Sequence, residues 1–361
     1  MQNQITKNWQ ELKFGDVATL HRGYDLPVEK MIVGDHPVIF SNGKIEYHNQ
    51  YKIKGPGVVT GRSGSLGNTF YINQDYWPHN TTLYVSNFHG NNPKFVYYLL
   101  KTLNFSFLNA GSGVPTLNRN HVHEIPLKIP TNSEIQKQIA AVLSAFDDKI
   151  EINNKIAKTL EQMAQALFKE WFVHFRFPGY EKAEFVDNEL GTIPKGWKLS
   201  RFEEYARLEY GKALQEEKRI PGNVLVYGSS GQVGTHTEKL CEGPGIVVGR
   251  KGNVGSVFWI NEDFYPIDTT FYLSTKNSLY YIYFILKNMK FHTGDSAVPG
   301  LNRDSVHSQE IVIPDEMIIG QFNLIIKPIF EKLNKLQGEN QKLAVLRNLL
   351  LPKLMRGEIR V

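Results

Sequence analysis

The sequence has a single cysteine, Cys241, among 361 residues. One cysteine excludes an intrachain disulfide and a zinc site built from several cysteines, and it is typical of a protein in a reducing compartment. No run approaches the roughly 18 apolar residues that a membrane span requires. The first residues, MQNQITKNWQ, lack the apolar stretch of a secretory signal. We therefore expect a cytoplasmic protein without a membrane span.

The motifs of common enzyme classes are also missing. The sequence contains no GxxxxGK[ST] phosphate loop, no GxGxxG dinucleotide turn and no HExxH zinc motif. It also lacks the Asn/Asp-Pro-Pro-Tyr/Phe tetrapeptide with which amino-methyltransferases hold a flipped base. The 11 histidines are scattered and do not favour a metal site. We expect no metal, no catalytic residue and no cofactor held by this chain.

Charge of either sign is moderate, and the net charge is +5. The excess lies in residues 1–130, with 12 Lys and Arg against 8 Asp and Glu, and in residues 315–361, with 8 against 5. Residues 131–178 and 196–314 are neutral, and residues 179–195 are acidic. This balance is compatible with nucleic acid, although plain solvated surface charge would look similar.

The most informative feature that is present is a duplication. Trp9–Asn80 aligns with Trp197–Asp268 at a constant offset of 188, and a later stretch realigns at 184. Between Gly55–Tyr84 and Gly243–Tyr272, 16 of 30 positions are identical. Two copies of one module on one chain indicate two related sites.

Each copy begins with a globular part of mixed α and β structure. In the first copy, Pro56–Thr60 and Thr69–Asn73 are short β-rich runs separated by glycines, and Lys94–Leu103 has the apolar face of a helix. The matching segments of the second copy are Pro244–Val248, Ser256–Asn261 and Leu279–Met289. The sequence predicts a hairpin or adjacent strands with a helix packed on them in each copy.

A helical part with coiled-coil periodicity follows each globular part. Steps of four and three residues trace one apolar seam in the first copy, and a shift of 183 traces a second. The first seam is Ile139, Leu143, Phe146, Ile150, Asn153, Ala157, Leu160, Ala164, Leu167 and Trp171. The second is Phe322, Ile326, Ile329, Leu333, Leu336, Asn340, Leu343, Arg347, Leu350 and Leu354. Two such seams in one chain could pair with each other over a rod of roughly 50 Å.

Asparagine interrupts both seams, at Asn153 and at Asn340, which are not equivalent steps. A buried asparagine at a seam position fixes register and orientation, whereas one that faces solvent has no such role. Both alternatives are open from the sequence. Pro328 and the pair Gln337-Gly338 predict a local kink or break in the second helix.

The GRxGxxG element at Gly61–Gly67 and Gly249–Gly255 is the most conspicuous motif. Its glycines allow a tight turn, and Arg62 and Arg250 offer a guanidinium fork suited to a phosphate or a guanine edge. Alternatively, the element is a scaffold turn in which the arginine pairs with a neighbouring carboxylate.

The two copies keep this frame while polar side chains around it differ. That difference is expected if one fold reads two base sequences, and neutral drift on exposed loops would also explain it. The DNA-contact candidates are Arg62, Ser63, Ser65 and Asn68 in the first copy, and Arg250, Lys251, Asn253 and Ser256 in the second.

A second shared patch is GSGVPTLNRNHV at Gly111–Val122, matched by GDSAVPGLNRDSV at Gly294–Val306. Asn118 and Asn302 are predicted to cap the helical element that follows. Arg119 and Arg303 complete the set of DNA-contact candidates.

Three segments together resemble the specificity subunit of type I restriction-modification systems. They are LNRNHVHEIPLKIP, the helix EIQKQIAAVLSAFDDKIEINNKIAKTLEQMAQALFKEWFVHF and the entry GTIPKGW to the second copy. The resemblance covers nearly the whole chain in the order module, helix, module, helix.

The resemblance implies an α+β architecture with a pseudo-twofold internal repeat. Residues 1–130 and 196–314 would be target recognition domains, joined by two long antiparallel coiled-coil helices at 131–178 and 315–361, with a linker at 179–195. Each recognition domain would read one half of a bipartite, asymmetric sequence in double-stranded DNA.

The same resemblance implies a non-catalytic subunit that directs adenine methylation and cleavage by its partners. These would be two methyltransferase (modification) subunits and the restriction/translocase subunits, which would hold S-adenosylmethionine, ATP and Mg. A duplicated scaffold that binds only proteins is the alternative, and a methyltransferase or nuclease in its own right would need a cofactor pocket that the sequence does not indicate.

Overall fold

The computed structural model describes residues 9–108, 113–189, 191–275, 277–291 and 300–361. The first module contains nine strands and three short helices up to Pro130 within these residues. The strands are β1 (Trp9–Lys13), β2 (Thr19–Arg22), β3 (His36–Ile39), β4 (Ile45–His48), β5 (Gly57–Gly61), β6 (Thr69–Ile72), β7 (Trp77–Pro78), β8 (Thr82–Asn87) and β9 (Pro126–Pro130). The helices are α1 (Phe14–Val17), α2 (Pro93–Thr102) and α3 (Arg119–His123), with 3-10 turns at Val28–Lys30 and Ser106–Leu108.

A long helix and a hairpin connect the first module to the second. Helix α4 spans Ser133–Phe172, and a 3-10 turn at Tyr180–Lys182 precedes strands β10 (Phe185–Asn188) and β11 (Gly191–Pro194). The two strands pair antiparallel, so the segment expected to be a plain linker contains its own hairpin. The segment carries apolar side chains between its prolines and glycines. One of them, Ile193, is buried in the same hydrophobic cluster as Trp197.

The second module repeats the elements of the first. Its strands are β12 (Lys198–Arg201), β13 (Arg207–Tyr210), β14 (Val224–Gly228), β15 (Gly231–His236), β16 (Gly245–Gly249), β17 (Val257–Ile260), β18 (Phe264–Pro266), β19 (Thr270–Ser274) and β20 (Glu310–Ile313). Its helices are α5 (Phe202–Tyr205), α6 (Leu279–Asn288) and α7 (Arg303–His307), with a 3-10 turn at Glu216–Lys218, and helix α8 (Glu316–Met355) follows.

The sheets of the two modules have the same strand order. The first module has a four-stranded sheet β2-β8-β5-β6, a three-stranded sheet β4-β3-β7 and the pair β1-β9. The second has β13-β19-β16-β17, β15-β14-β18 and β12-β20. Strands β5 and β6 pair antiparallel, as do β16 and β17, which confirms the hairpin predicted from both β-rich runs. The duplication is therefore one of topology as well as of sequence.

The helix predicted after the hairpin packs on it in each copy. Helix α2 lies on β5 and β6, and α6 lies on β16 and β17. The side chain of Asn92 accepts from the amide of Phe95 at 3.0 Å, and Pro93 occupies the first turn, so the start of α2 is capped. In α6 the Ser278 hydroxyl accepts from the amide of Tyr281 at 3.3 Å. Local capping thus defines where each helix begins.

The chain divides into two compact units, and both long helices are shared between them. One unit contains Met1–Asn153 and Glu339–Val361, and the other contains Asn154–Gly338. The divisions fall inside α4 and inside α8 rather than at the ends of the modules. Part of each long helix completes the hydrophobic core of each unit: Ile139, Leu143, Leu351 and Leu354 in the first, and Phe168, Phe322 and Phe330 in the second.

The predicted break in the second helix is wrong. Helix α8 runs for 40 residues from Glu316 to Met355 and includes Pro328 and Gly338. Buried side chains on both sides of the proline, Ile326 and Phe330, anchor this part of the helix in the core. Packing of the apolar face outweighs the hydrogen bond that a proline removes.

None of the 20 predicted seam positions is exposed. Asn153 is fully buried, and its side-chain amide donates to the Asn340 carbonyl oxygen at 2.9 Å. Of the two alternatives left open for these asparagines, the structure favours the buried, paired one. Within the described ranges, no helix combines the length and the apolar composition of a membrane span.

Candidate nucleic-acid interface

The GRxGxxG element forms a tight turn at the end of β5 and of β16. In the first module the Gly67 amide donates to the carbonyl of Gly61 at 3.1 Å, and Gly64 and Gly67 have φ of +83° and +75°. A Cβ on Gly67 would lie 2.4 Å from the ring of Phe105. Gly255 has the same conformation, with φ of +77°, and the same close approach to Phe291. The glycines are required by backbone geometry and by an aromatic ring packed on the turn.

The arginine of this turn contacts backbone, not a carboxylate. Arg62 Nη1 donates to the carbonyl of Asn80 at 3.4 Å, and Arg250 Nη1 donates to the equivalent carbonyl of Asp268 at 3.1 Å. Neither guanidinium forms an ion pair with a carboxylate in the part of the chain that the structure describes. Each retains further N–H donors for a ligand, since a guanidinium has five.

The two shared motifs meet in space in both modules. The Leu117 amide donates to the carbonyl of Arg62 at 2.8 Å, and the Leu301 amide donates to that of Arg250 at the same distance. Thr116 pairs with Ser63, and Gly300 pairs with Lys251, as isolated β-bridges. Of this second motif, residues 111–112 and 294–299 lie outside the described residues. Motifs about 50 residues apart in sequence thus form one continuous backbone frame.

The predicted caps in this frame are confirmed. The Asn118 side chain accepts from the amide of Asn120 at 2.9 Å, and Asn302 accepts from Asp304 at 2.8 Å. They start α3 and α7 and place Arg119 and Arg303 at the first helical position. Arg119 is exposed and Arg303 is half-buried.

Among the other candidates, Asn68 and Ser256 already have internal partners. The Asn68 amide donates to the carbonyl of Ser41 at 3.2 Å, and the Ser256 hydroxyl donates to the aligned carbonyl of Ser229 at 2.6 Å. Both side chains tie the turn to the loop after β3 or β14. This shared bond explains why both copies have a polar residue at the position of Asn68 and Ser256, and the explanation requires no ligand.

The remaining candidates differ in exposure between the modules. Lys251 and Asn253 are exposed, whereas Ser63 and Ser65 are half-buried. Asn253 also donates to the Ser230 hydroxyl at 3.2 Å. The second turn therefore presents longer and more accessible polar side chains than the first.

Sequence reasoning missed the residue that lies beside the arginines. Tyr210 at the end of β13 has the guanidinium carbons of Arg250 and Arg303 at 5.0 and 4.9 Å from its ring centroid. These are cation–π distances. The aligned residue of the first module is Arg22, at the same offset of 188. The constant offset aligns Tyr210 with Arg22 in the sequence. It does not indicate that the strands holding these residues, β13 and β2, lie beside the GRxGxxG turn.

Arg22 changes the electrostatics of the first module's face. Burial lowers the pKa of Arg62, and the positive charge of Arg22 lowers it further. The first module thus gathers like charges at the position where the second stacks its arginines on a tyrosine. Arg22 also pairs with Asp25 at 3.5 Å, which offsets part of its charge, and the remaining positive charge of the face favours an anionic partner such as the phosphates of DNA.

Two aligned histidines behind this face act as structural acceptors. His123 Nε2 accepts from the Leu20 amide at 2.9 Å, and His307 Nε2 accepts from the Leu208 amide at 3.0 Å. Burial, then the nearby Arg119, lowers the pKa of His123; burial, then Arg303, lowers that of His307. Within the described ranges no three His, Cys, Asp or Glu side chains are grouped in a way that could hold a metal ion.

Comparisons with known proteins match both modules. The family model described as the type I restriction modification DNA specificity domain matches residues 6–162 and 194–346. The type I restriction enzyme MjaIX specificity subunit of Methanocaldococcus jannaschii is 30% identical over 302 residues, covering 74% of this chain and 69% of that protein. The HindI specificity subunit of Haemophilus influenzae is 24% identical over 364 residues, covering 74% and 77%.

A solved structure has the same fold over almost the full length. The crystal structure of a type I restriction-modification system S subunit from M. genitalium superposes with a TM-score of 0.63 at 18% identity, and the match covers 96% of each chain. The two matched domains take up most of the sequence and contain both GRxGxxG turns. The chain therefore belongs to the family of type I restriction-modification DNA specificity subunits.

Proposed function

We propose that this chain recognises a bipartite, asymmetric sequence in double-stranded DNA, with one half read by each module. It directs adenine methylation and cleavage to that sequence in the cytoplasm. Two methyltransferase subunits and the restriction/translocase subunits perform the chemistry and hold S-adenosylmethionine, ATP and Mg.

One observation carries this proposal: the same backbone frame displays different side chains in the two modules. The bonds from Leu117 to Arg62 and from Leu301 to Arg250 have the same length of 2.8 Å. Around that frame, Arg22 is replaced by Tyr210 and Ser63 by Lys251. Because base identity is read by side-chain donors and acceptors, one frame with two side-chain sets suits two unlike half-sites.

The candidate contacts divide by chemistry into two groups. Arginines of the frame can form bidentate bonds to phosphate or to a guanine edge, and they are Arg62, Arg119, Arg250 and Arg303. The smaller polar residues lie on the turn and would adjust the reading of individual bases. Asn68 and Ser256 support the turn through their internal bonds and contribute least to recognition.

Helices α4 and α8 act as the spacer between half-sites in this proposal. Their seam positions are buried or half-buried, which supports a rigid paired helix within each unit. The gap in the target would then depend on helix length rather than on loop flexibility.

Reconstitution with a cognate modification subunit tests the function. Adenine methylation is mapped across a genome with the chain present and with it omitted. A gapped motif with two unlike halves is expected only when the chain is present. Unchanged methylation without the chain contradicts the proposal.

A module exchange tests whether each module reads one half of the target sequence. Residues 1–130 are replaced by the first module of another family member, and the methylated motif is mapped again. Only one half of the motif should change. If duplex DNA affinity proves independent of salt, the protein-binding scaffold replaces DNA recognition as the function.

A further inference from the structure

A polar cluster joins α2, α4 and α8 in the first unit. Tyr98 Oη donates to Asp147 Oδ2 at 2.6 Å, and Arg347 forms an ion pair with the same carboxylate. Tyr98 is 1% exposed, and the side chains of Asp147 and Arg347 are 27% and 17% exposed. The bond between Asn153 and Asn340 lies on the same pair of helices. Four polar residues from two helices are thus paired across their contact.

The equivalent cluster of the second unit is apolar. Shifts of 186 for α2 and 183 for the long helices place Phe284 at the position of Tyr98, Phe330 at that of Asp147 and Ala164 at that of Arg347. The rings of Phe284 and Phe330 are 6.0 Å apart, and Ala164 is fully buried. By the same shift, Leu336 is equivalent to Asn153 and Ala157 is equivalent to Asn340, so the asparagines also have apolar equivalents.

This difference matters because the seams of α4 and α8 are copies of one another. Two molecules of the chain could pair α4 with α4 through the same geometry. Asp147 would then face Ala164 of the other molecule, and Asn153 would face Ala157, since these residues are equivalent to Arg347 and Asn340.

Pairing of α8 with α8 would likewise place polar residues opposite apolar ones. Arg347 would face Phe330 of the second molecule, and Asn340 would face Leu336. In either pairing a largely buried polar group loses its partner on the other helix and does not regain its hydration, although Asp147 keeps the bond from Tyr98. Both like-with-like pairings are therefore penalised, whereas α4 with α8 gives each of the four residues a polar partner on the other helix.

We propose that Asp147, Arg347, Asn153 and Asn340 make α4 select α8 over a second copy of itself, with Tyr98 holding the Asp147 carboxylate in position. The selected pairing keeps two unlike modules in one molecule. Like-with-like pairing would bring two first modules or two second modules together. The pairing itself is independent of DNA; its consequence for an asymmetric target rests on the proposed function.

A disulfide reporter measures the wrong pairing directly. Lys149 Nζ lies 3.5 Å from Glu339 Oε1 across the helix contact, and the α4 residue equivalent to Glu339 is Ile156. Lys149→Cys with Ile156→Cys, in a Cys241→Ser background, can form disulfides between two α4 helices. The same two sites within one helix are about 10 Å apart, too far for a bond.

The decisive variant installs the apolar set of the second unit in the first. It combines Tyr98→Phe, Asp147→Phe, Arg347→Ala, Asn153→Leu and Asn340→Ala with the reporter. After refolding and oxidation, we expect the disulfide-linked dimer to increase by about tenfold or more over the reporter alone, since one lost buried contact is already worth about that factor. Folded protein with dimer at the level of the reporter alone would overturn the proposal.

Two further variants keep the test valid if the variant with all five substitutions does not fold. Asn153→Leu with Asn340→Ala is a smaller change and is expected to give a smaller increase in dimer. Asp147→Arg with Arg347→Asp retains an ion pair between α4 and α8 and should stay near the level of the reporter alone. An increase with this reversal as large as with Arg347→Ala alone would contradict selection by the pair. All measurements are made without DNA, so their result is separate from that of the methylation experiments.

Discussion

The guanidinium carbon of Arg250 lies 5.0 Å from the ring centroid of Tyr210. In the first module the position of this tyrosine belongs to Arg22, and burial together with the charge of Arg22 lowers the pKa of Arg62. The same frame therefore holds its arginine on an aromatic face in one module and beside another cation in the other. The two faces should differ in how strongly salt weakens their binding to DNA.

Replacing Arg22 with the aligned tyrosine tests this difference. We expect Arg22 to contact one phosphate, so Arg22→Tyr should reduce the slope of log affinity against log salt by about one. Lys128→Gln on β9 removes one exposed charge elsewhere in the same module and serves as control. Affinity of the reconstituted complex for its target is measured by titration at several salt concentrations. An equal change in both variants would assign the effect to net charge alone.

Loss of the turn arginine should weaken recognition without unfolding the module. Arg62→Ala or Arg250→Ala removes the side chain but leaves the carbonyl that accepts from Leu117 or Leu301. If the arginine reads a base edge, binding should weaken by about 1–3 kcal/mol and one position of the corresponding half-site should relax. Methylation mapping identifies the position, and a thermal melt checks the fold. Unaltered affinity would assign both arginines to the scaffold.

Alanine at two glycines should shift stability in opposite directions. Gly67→Ala meets Phe105 and a φ of +75°, and we expect a loss of about 1–3 kcal/mol. Gly338 lies inside α8, and a Cβ there has no neighbour within 4 Å, so Gly338→Ala should add about 0.5–1 kcal/mol. The midpoints of urea unfolding measure both. A destabilised Gly338→Ala protein would mean that this part of α8 needs the freedom of glycine.

Acid should destabilise the protein through His123 and His307. Their pKa values lie below the ordinary 6.5 when the protein is folded, because burial, and then the positive charge of Arg119 or Arg303, disfavours the protonated ring. The unfolded chain then binds more protons than the folded one below pH 6.5, so the stabilisation is complete above that pH and is lost as the pH falls. The thermal midpoint measured from pH 8 to pH 5 should fall at the acid end.

A paired substitution isolates this contribution. His123→Gln with His307→Gln keeps a hydrogen-bond acceptor at each site but removes the group that titrates. The fall of the thermal midpoint towards pH 5 should therefore become shallower. The exposed His174→Gln provides a control that should retain the full fall. A double variant with the original pH profile would assign the acid sensitivity to other groups.

Much of the fold could be predicted because its signals are local. The β-rich runs, the apolar faces of α2 and α6 and the caps Asn118 and Asn302 depend on residues within a few positions of one another. Pro328 misled the same reasoning, since its local cost is real but smaller than the packing of Ile326 and Phe330. Local propensity is reliable where tertiary contacts do not oppose it.

The sequence by itself determined the duplication, the two arginine turns and the periodic seams, because these are patterns of residue type at fixed spacing. Only the tertiary structure decided which side chains meet. It placed Tyr210 beside Arg250 and paired Asn153 with Asn340, although the two asparagines occupy different steps of their seams. Such contacts depend on strand order and on the register of one helix against another, and both arise from packing between segments that lie far apart in the chain.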